Sequence, residues 1–214
     1  MSDTPTTPRA LPESTPLVIE PALALLEFSS IAAGILAADA MVKRATLDVV
    51  QAGTVQPGRF LVLLGGAVGE VEESLKAGKE TAPDTLTDHI FLPGVHEDVV
   101  RALTAGRVLT PEHDALGIVE TVSVPAAIHA ADKGVKGAEV TLMEIRLADG
   151  LGGKGLVFFT GLVSDVEAAL EITDAALEIH LKVRQVVIPQ IHEDIAKVIR
   201  RSTQFGVHLG WKPA

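Results

Sequence analysis

Cysteine is absent from the 214 residues. That excludes a cysteine-ligated iron–sulfur cluster, a thiolate nucleophile and a disulfide framework, and it is compatible with a reducing cytosol. Basic charge is scarce: 18 Lys and Arg stand against 28 Asp and Glu, a formal net charge of −10. Nucleic acid is therefore not an expected partner. No apolar run approaches the ~18 residues that a membrane span needs. The best, Ile31 to Val42, is interrupted by Asp39 and followed by Lys43-Arg44, so no membrane partner is expected. No basic stretch followed by an apolar one opens the chain, and no secretory signal is expected. What is plentiful is apolar surface, 47% hydrophobic residues against 21% charged. An apolar excess without a span points to subunit interfaces.

Catalytic and metal motifs are missing as well. The His-Glu pairs His96-Glu97 and His192-Glu193 are not H-E-x-x-H, because Val100 and Ala196 occupy the fifth positions. A His without a second one nearby in sequence is a poor zinc site, and a capping or packing role is the expected one. No G-x-S-x-G turn presents a serine nucleophile. The spacing Gly150, Gly152, Gly155 matches G-x-G-x-x-G, yet Leu156-Val157-Phe158-Phe159 follows. That is a strand where a dinucleotide fingerprint needs a helix. No catalytic residue, metal or cofactor is expected.

The chain repeats itself. With an offset of 93, residues 23–47 and 116–140 share Leu, Glu, Ser, Ala, Ile, Ala, Ala, Asp, Val, Lys and Ala, 11 identities in 25 positions. Later, Pro93-Gly94-Val95-His96-Glu97-Asp98 returns as Pro189-Gln190-Ile191-His192-Glu193-Asp194. A duplication of this length means two copies of one small fold.

Residues 1–17, rich in Thr, Pro and Ser, read as a disordered tail. A first domain spans 18–103, a linker 104–114, a second domain 115–201, and a short tail 202–214 carries the only tryptophan, Trp211. In the first domain a strand at Ala22–Phe28 precedes a helix at Ile31–Arg44, capped by Ser30, with apolar spacing through Ile31, Ile35, Ala38 and Val42. Strands at Leu47–Ala52 and Phe60–Leu64 flank a turn at Gly53–Gly58; a helix from Val68, a strand at Leu86–Leu92 and a short helix at His96–Leu103 complete it. The second domain repeats that order. Strand, helix, strand, strand, helix, strand is the split β-α-β pattern of ferredoxin-like folds. The expected class is α+β: two tandem ferredoxin-like domains, each a four-stranded antiparallel sheet with helices packed on it.

Ala-Asp-Ala-Met-Val-Lys-Arg-Ala at 38–45, Ala-Asp-Lys-Gly-Val-Lys-Gly-Ala at 131–138, the opening Ala115-Leu116-Gly117-Ile118-Val119-Glu120-Thr121 and each closing Pro-x-x-His-Glu resemble bacterial microcompartment shell proteins. The resemblance covers both halves, from about Pro21 to Ile199. It implies a structural tile in the bacterial cytoplasm, with no enzymatic activity, built as a homotrimer that imitates a hexagon and meets other shell proteins of the same compartment. The unpermuted order of each copy implies a single layer. Lys43 and Lys136 fall where the family carries its tile-edge lysine. The Arg-Pro that family members commonly carry before the His is replaced here by Gly94-Val95 and Gln190-Ile191.

The resemblance also implies that one strand-to-strand turn of each copy lines a central channel for small polar metabolites. Those turns are Gln56-Pro57-Gly58-Arg59 and Asp149-Gly150-Leu151-Gly152-Gly153-Lys154-Gly155. Glycines let backbones crowd an axis where side chains collide. Arg59 and Lys154 hold corresponding places, and if their heads point inward six cations favour anionic solutes. Two rival readings are a ferredoxin-like regulatory protein binding a small molecule between its domains, and an enzyme using the glycine loop.

Overall fold

The computed structural model describes residues 22–104 and 115–201. The expected tails, Trp211 and all but the first residue of the expected linker lie outside the described residues. The first copy comprises β1 (Ala22–Phe28), α1 (Ile31–Arg44), β2 (Val49–Val55), β3 (Arg59–Gly66), α2 (Val68–Thr81), β4 (Leu86–Leu92) and α3 (Glu97–Thr104). The second comprises β5 (Ala115–Thr121), α4 (Val124–Gly137), β6 (Thr141–Leu147), β7 (Gly155–Gly161), α5 (Val163–Ala176), β8 (Lys182–Pro189) and α6 (Glu193–Arg201). The sheet orders are β2-β3-β1-β4 and β6-β7-β5-β8, with every pairing antiparallel. This is the expected architecture, twice over.

Local chemistry sets the helix starts. Ser30 and Ser123 each accept the N–H three residues on, from Ala33 and Ala126, both at 3.3 Å, satisfying a donor that a helix start leaves open. The hairpin between β2 and β3 differs from expectation. Strand β2 does not stop at Ala52: Gly53, Thr54 and Val55 stay paired to Leu61, Phe60 and Arg59. The turn is only Gln56-Pro57-Gly58, closed by Gly58 N–H donating to the Val55 carbonyl at 2.9 Å, with Gly58 at φ +92°. Gly53 reads as a breaker in sequence, but an edge strand tolerates glycine.

Strand β1 is buried on both faces. Ala22, Ala24, Leu26 and Phe28 join a core with Ala37 and Met41 of α1 and Val71 and Leu75 of α2. Leu23 and Leu25 point the other way, into a second core shared with Val124, Ile128, Ala131 and Phe159 of the second copy. The two copies therefore share one apolar cluster, alongside the first copy's own helix–sheet core. Their own helix–sheet contacts are repacked by compensating size changes. Gly34 lies against Phe60, and a Cβ on Gly34 would come 2.7 Å from that side chain. At the matching positions of the second copy the small residue is on the strand: Gly155 faces Ala127.

Candidate functional site

Helix α4 is gripped by the first copy. Its N-terminal N–H at Val124 donates to Glu27 Oε2 at 2.9 Å, so a carboxylate meets the positive end of the helix dipole. Glu27 is fully buried, and Arg59 donates to its other oxygen. The Arg59 guanidinium also lies 3.4 Å from the Val122 carbonyl, and the Ser123 hydroxyl donates to Asp88. At the far end of α4, Asp132 accepts the His96 N–H at 2.9 Å and the Lys136 ammonium at 2.6 Å. Lys136 also donates to the Gly94 carbonyl. Between these polar ends, Val99 and Ala102 of α3 join Ile128, Leu142 and Ile145 in the shared core.

Among the described residues helix α1, the sequence counterpart of α4, has no such grip. Ile128 is 0% exposed and Ile35, its match at the same offset, is 55% exposed. Leu142 on β6 is 2% exposed and its match on β2, Val50, is 46% exposed. Val99 on α3 is buried, yet its match on α6, Ile195, is exposed, as is Val198. The polar pairs follow suit. Asp132 is buried, whereas Asp39 and Lys43 form an exposed pair 2.5 Å apart. Glu27 is buried, whereas Glu120 is partly open and holds Lys154 at 2.7 Å. The positions that bury α4 against the first copy thus recur, exposed, on α1 and on α6.

The two glycine-bearing turns lie side by side. Gln56 N–H donates to Asp149 Oδ1 at 3.1 Å, and Gly150 N–H donates to Gln56 Oε1 at 3.3 Å. Gly152 and Gly153 have φ of +64° and +87°, as does Gly150 at +73°, conformations that suit glycine. Leu151 N–H closes the loop onto the Ala148 carbonyl at 2.9 Å. The heads of Arg59 and Lys154 are not free: each is ion-paired to the acid of the neighbouring strand, Glu27 or Glu120. Within the chain both heads are therefore directed at carboxylates on the adjoining strands. The repeat itself held the signal, since acid at 27 and 120 recurs with base at 59 and 154.

His96 and His192 cap the helices that follow. Their Nδ1 atoms accept the N–H of Asp98 at 3.2 Å and of Asp194 at 3.3 Å. Among the described residues no group of three or more His, Asp or Glu side chains is placed to hold a metal ion, and no helix is long and apolar enough to cross a membrane.

Burial, then the nearby Lys133, lowers the pKa of His129 on α4; burial, then Lys79, does the same to His89. A depressed imidazole favours the folded state above its unfolded value of about 6.5, and that stability is lost as pH falls through the lower folded value. Burial also pushes the Glu27 carboxyl up, against the Val124 N–H and Arg59. Its sign is opposite: its contribution is fully present below the unfolded value and is lost as pH rises through the folded one. The His129 effect is therefore isolated by difference. The melting temperature of wild type relative to His129→Gln falls between about pH 7.5 and about pH 5.5; a constant difference contradicts the assignment.

A family model described as the BMC domain matches residues 22–95 and again 115–191. The bacterial microcompartment shell protein PduT of Citrobacter freundii is 42% identical over 175 residues, covering 81% of this chain and 95% of that protein. The shell protein PduA of Salmonella typhimurium is 40% identical over 91 residues, 41% of this chain and 93% of that one. A crystal structure of a microcompartment protein from Desulfitobacterium hafniense superposes with a TM-score of 0.71 at 42% identity, over 82% of this chain and 98% of the other. With two matched domains in one chain and nearly full-length similarity to such proteins, the chain belongs to the bacterial microcompartment shell proteins, a structural and non-enzymatic family, as a member with two BMC domains in tandem.

Proposed function

We propose that three copies of the chain close into a ring, each α1 docking on the next chain's second domain as α4 docks on the first domain within the chain. The ring is a single-layer, pseudohexagonal tile in the wall of a microcompartment in the bacterial cytoplasm. One observation carries this reading: the surface that Ile128 buries completely inside the chain is repeated around Ile35 and left open. Equivalence supplies the missing partners. Glu120 caps the Ile31 N–H of the next chain as Glu27 caps Val124. Asp39 takes the next His192 N–H, and Ile195 and Val198 pack where Val99 and Ala102 pack at the closed joint. A heterologous joint whose rotation closes makes a ring.

In this ring the turns around Gln56 and Gly152 gather at the axis and line a channel for small polar metabolites. Lys43 and Lys136, both exposed, stand towards the perimeter, where other shell proteins of the same compartment abut. Many weak edge contacts add up across a lattice. Sedimentation equilibrium tests the assembly. The expected mass is three times the 22.4 kDa of one chain, and a chain that stays monomeric at tens of micromolar overturns the reading.

A further inference from the structure

Three charged side chains belong to the two turns that the proposed ring gathers: Arg59, Asp149 and Lys154. Two are neutralised where they stand. Arg59 is paired to Glu27, and Lys154 lies 2.7 Å from Glu120. Asp149 differs. It is exposed, its Oδ1 accepts the neutral Gln56 N–H of the adjoining turn at 3.1 Å, and among the described residues it has no cationic partner. The turns are locked to each other as well. A Cβ placed on Gly153 would lie 3.0 Å from Pro57 Cδ and 3.2 Å from Arg59 Cζ. The Asp149 position is therefore set by the Gly153 backbone packed on the Pro57 and Arg59 side chains and by the Gln56 hydrogen bonds.

We propose that Asp149 sets the charge selectivity of the channel: three Asp149 carboxylates ring its mouth, so that it admits cations and neutral polar solutes and turns anions away. This rests on the trimer reading. A ring of side chains of one sign, with the opposite sign neutralised behind it, raises the local concentration of counter-ions and lowers that of co-ions. The basic residues on the same turns then act as ties between strands. They hold β3 to β1 and β7 to β5 through their acids, leaving the field at the opening to the unpaired group.

Crystals of the full chain soaked in rubidium bromide report both ions at once by anomalous scattering. The expected result is rubidium at the channel mouth beside Asp149 and no bromide in the channel. Asp149→Asn, which keeps an oxygen for the Gln56 N–H, loses the rubidium, and Asp149→Lys admits bromide instead. Bromide in the wild-type channel, rubidium unchanged in Asp149→Asn, or neither ion at the mouth overturns the proposal while the ring stands. A lattice without the three-fold ring, together with a monomer in solution, removes the trimer reading and the proposal with it.

Discussion

Replacing Ile35 by glutamate is expected to dissolve the proposed ring and to leave the chain folded. Within the chain the Ile35 side chain is mostly in solvent, and α1 holds its own sheet through Gly34, Ala37 and Met41. In the proposed ring, docking on the next copy buries Ile35. Burial of an isoleucine is worth roughly 1.5–3 kcal/mol, and a carboxylate placed there adds a desolvation cost. Each joint should weaken by about 100-fold or more, and the ring needs three joints at once. Sedimentation at micromolar concentration then finds monomer, while thermal unfolding stays near that of the monomeric wild-type chain. The same change at Ile128 behaves in the opposite way. That residue is already buried against the first copy, so Ile128→Glu destabilises the chain itself. An Ile35→Glu protein that still sediments as a trimer contradicts the docking face.

The second large effect is at Glu27. Glu27→Ala strands the Arg59 guanidinium, which is partly buried, and leaves the Val124 N–H without its acceptor. Removing one member of a buried pair typically costs about 3–5 kcal/mol; Arg59 retains some access to water, so about 3 kcal/mol is expected. For a chain of this size that corresponds to a fall in melting temperature on the order of 10 °C. Burial pushes the Glu27 carboxyl up, and the desolvation behind that shift offsets part of the pair's attraction. Glu27→Leu combined with Arg59→Leu should recover most of the loss, as apolar replacement of buried pairs often does. The matching Glu120→Ala change costs the isolated chain less than about 1 kcal/mol, since its pair with Lys154 is half in water. Its effect appears in ring assembly. Equal losses at Glu27 and Glu120 in chain stability contradict the distinction between a closed and an open joint.

Most of the fold was legible because its signals are local. Helical spacing from Ile31 to Val42, the Ser30 cap and the turn residues place α1 and the hairpins within a few residues of where they lie. The end of β2 was misplaced, because Gly53 looks the same in a turn as in an edge strand until its pairing to Leu61 is known. The inequality of α1 and α4 was not legible at all. Their sequences are alike at Ile35 and Ile128, Asp39 and Asp132, Lys43 and Lys136, so a pattern reading gives them one environment. Their tertiary settings separate them: α4 packs against β1 and β4 of the first copy as well as on its own sheet, a contact that no local pattern reveals. The direction of the Arg59 head was hidden for a related reason. It depends on Glu27, 32 residues earlier, which only strand register brings alongside.

The most direct measurement is an electron cryomicroscopy reconstruction of the full-length protein in solution. It is predicted to show a three-chain ring with α1 of each chain seated against β5, β8 and α6 of the next, Glu120 at the Ile31 N–H, and Asp149 facing the three-fold axis. A two-fold assembly, or a three-fold one in which Ile35 faces water and Asp149 lies on the rim, contradicts the account.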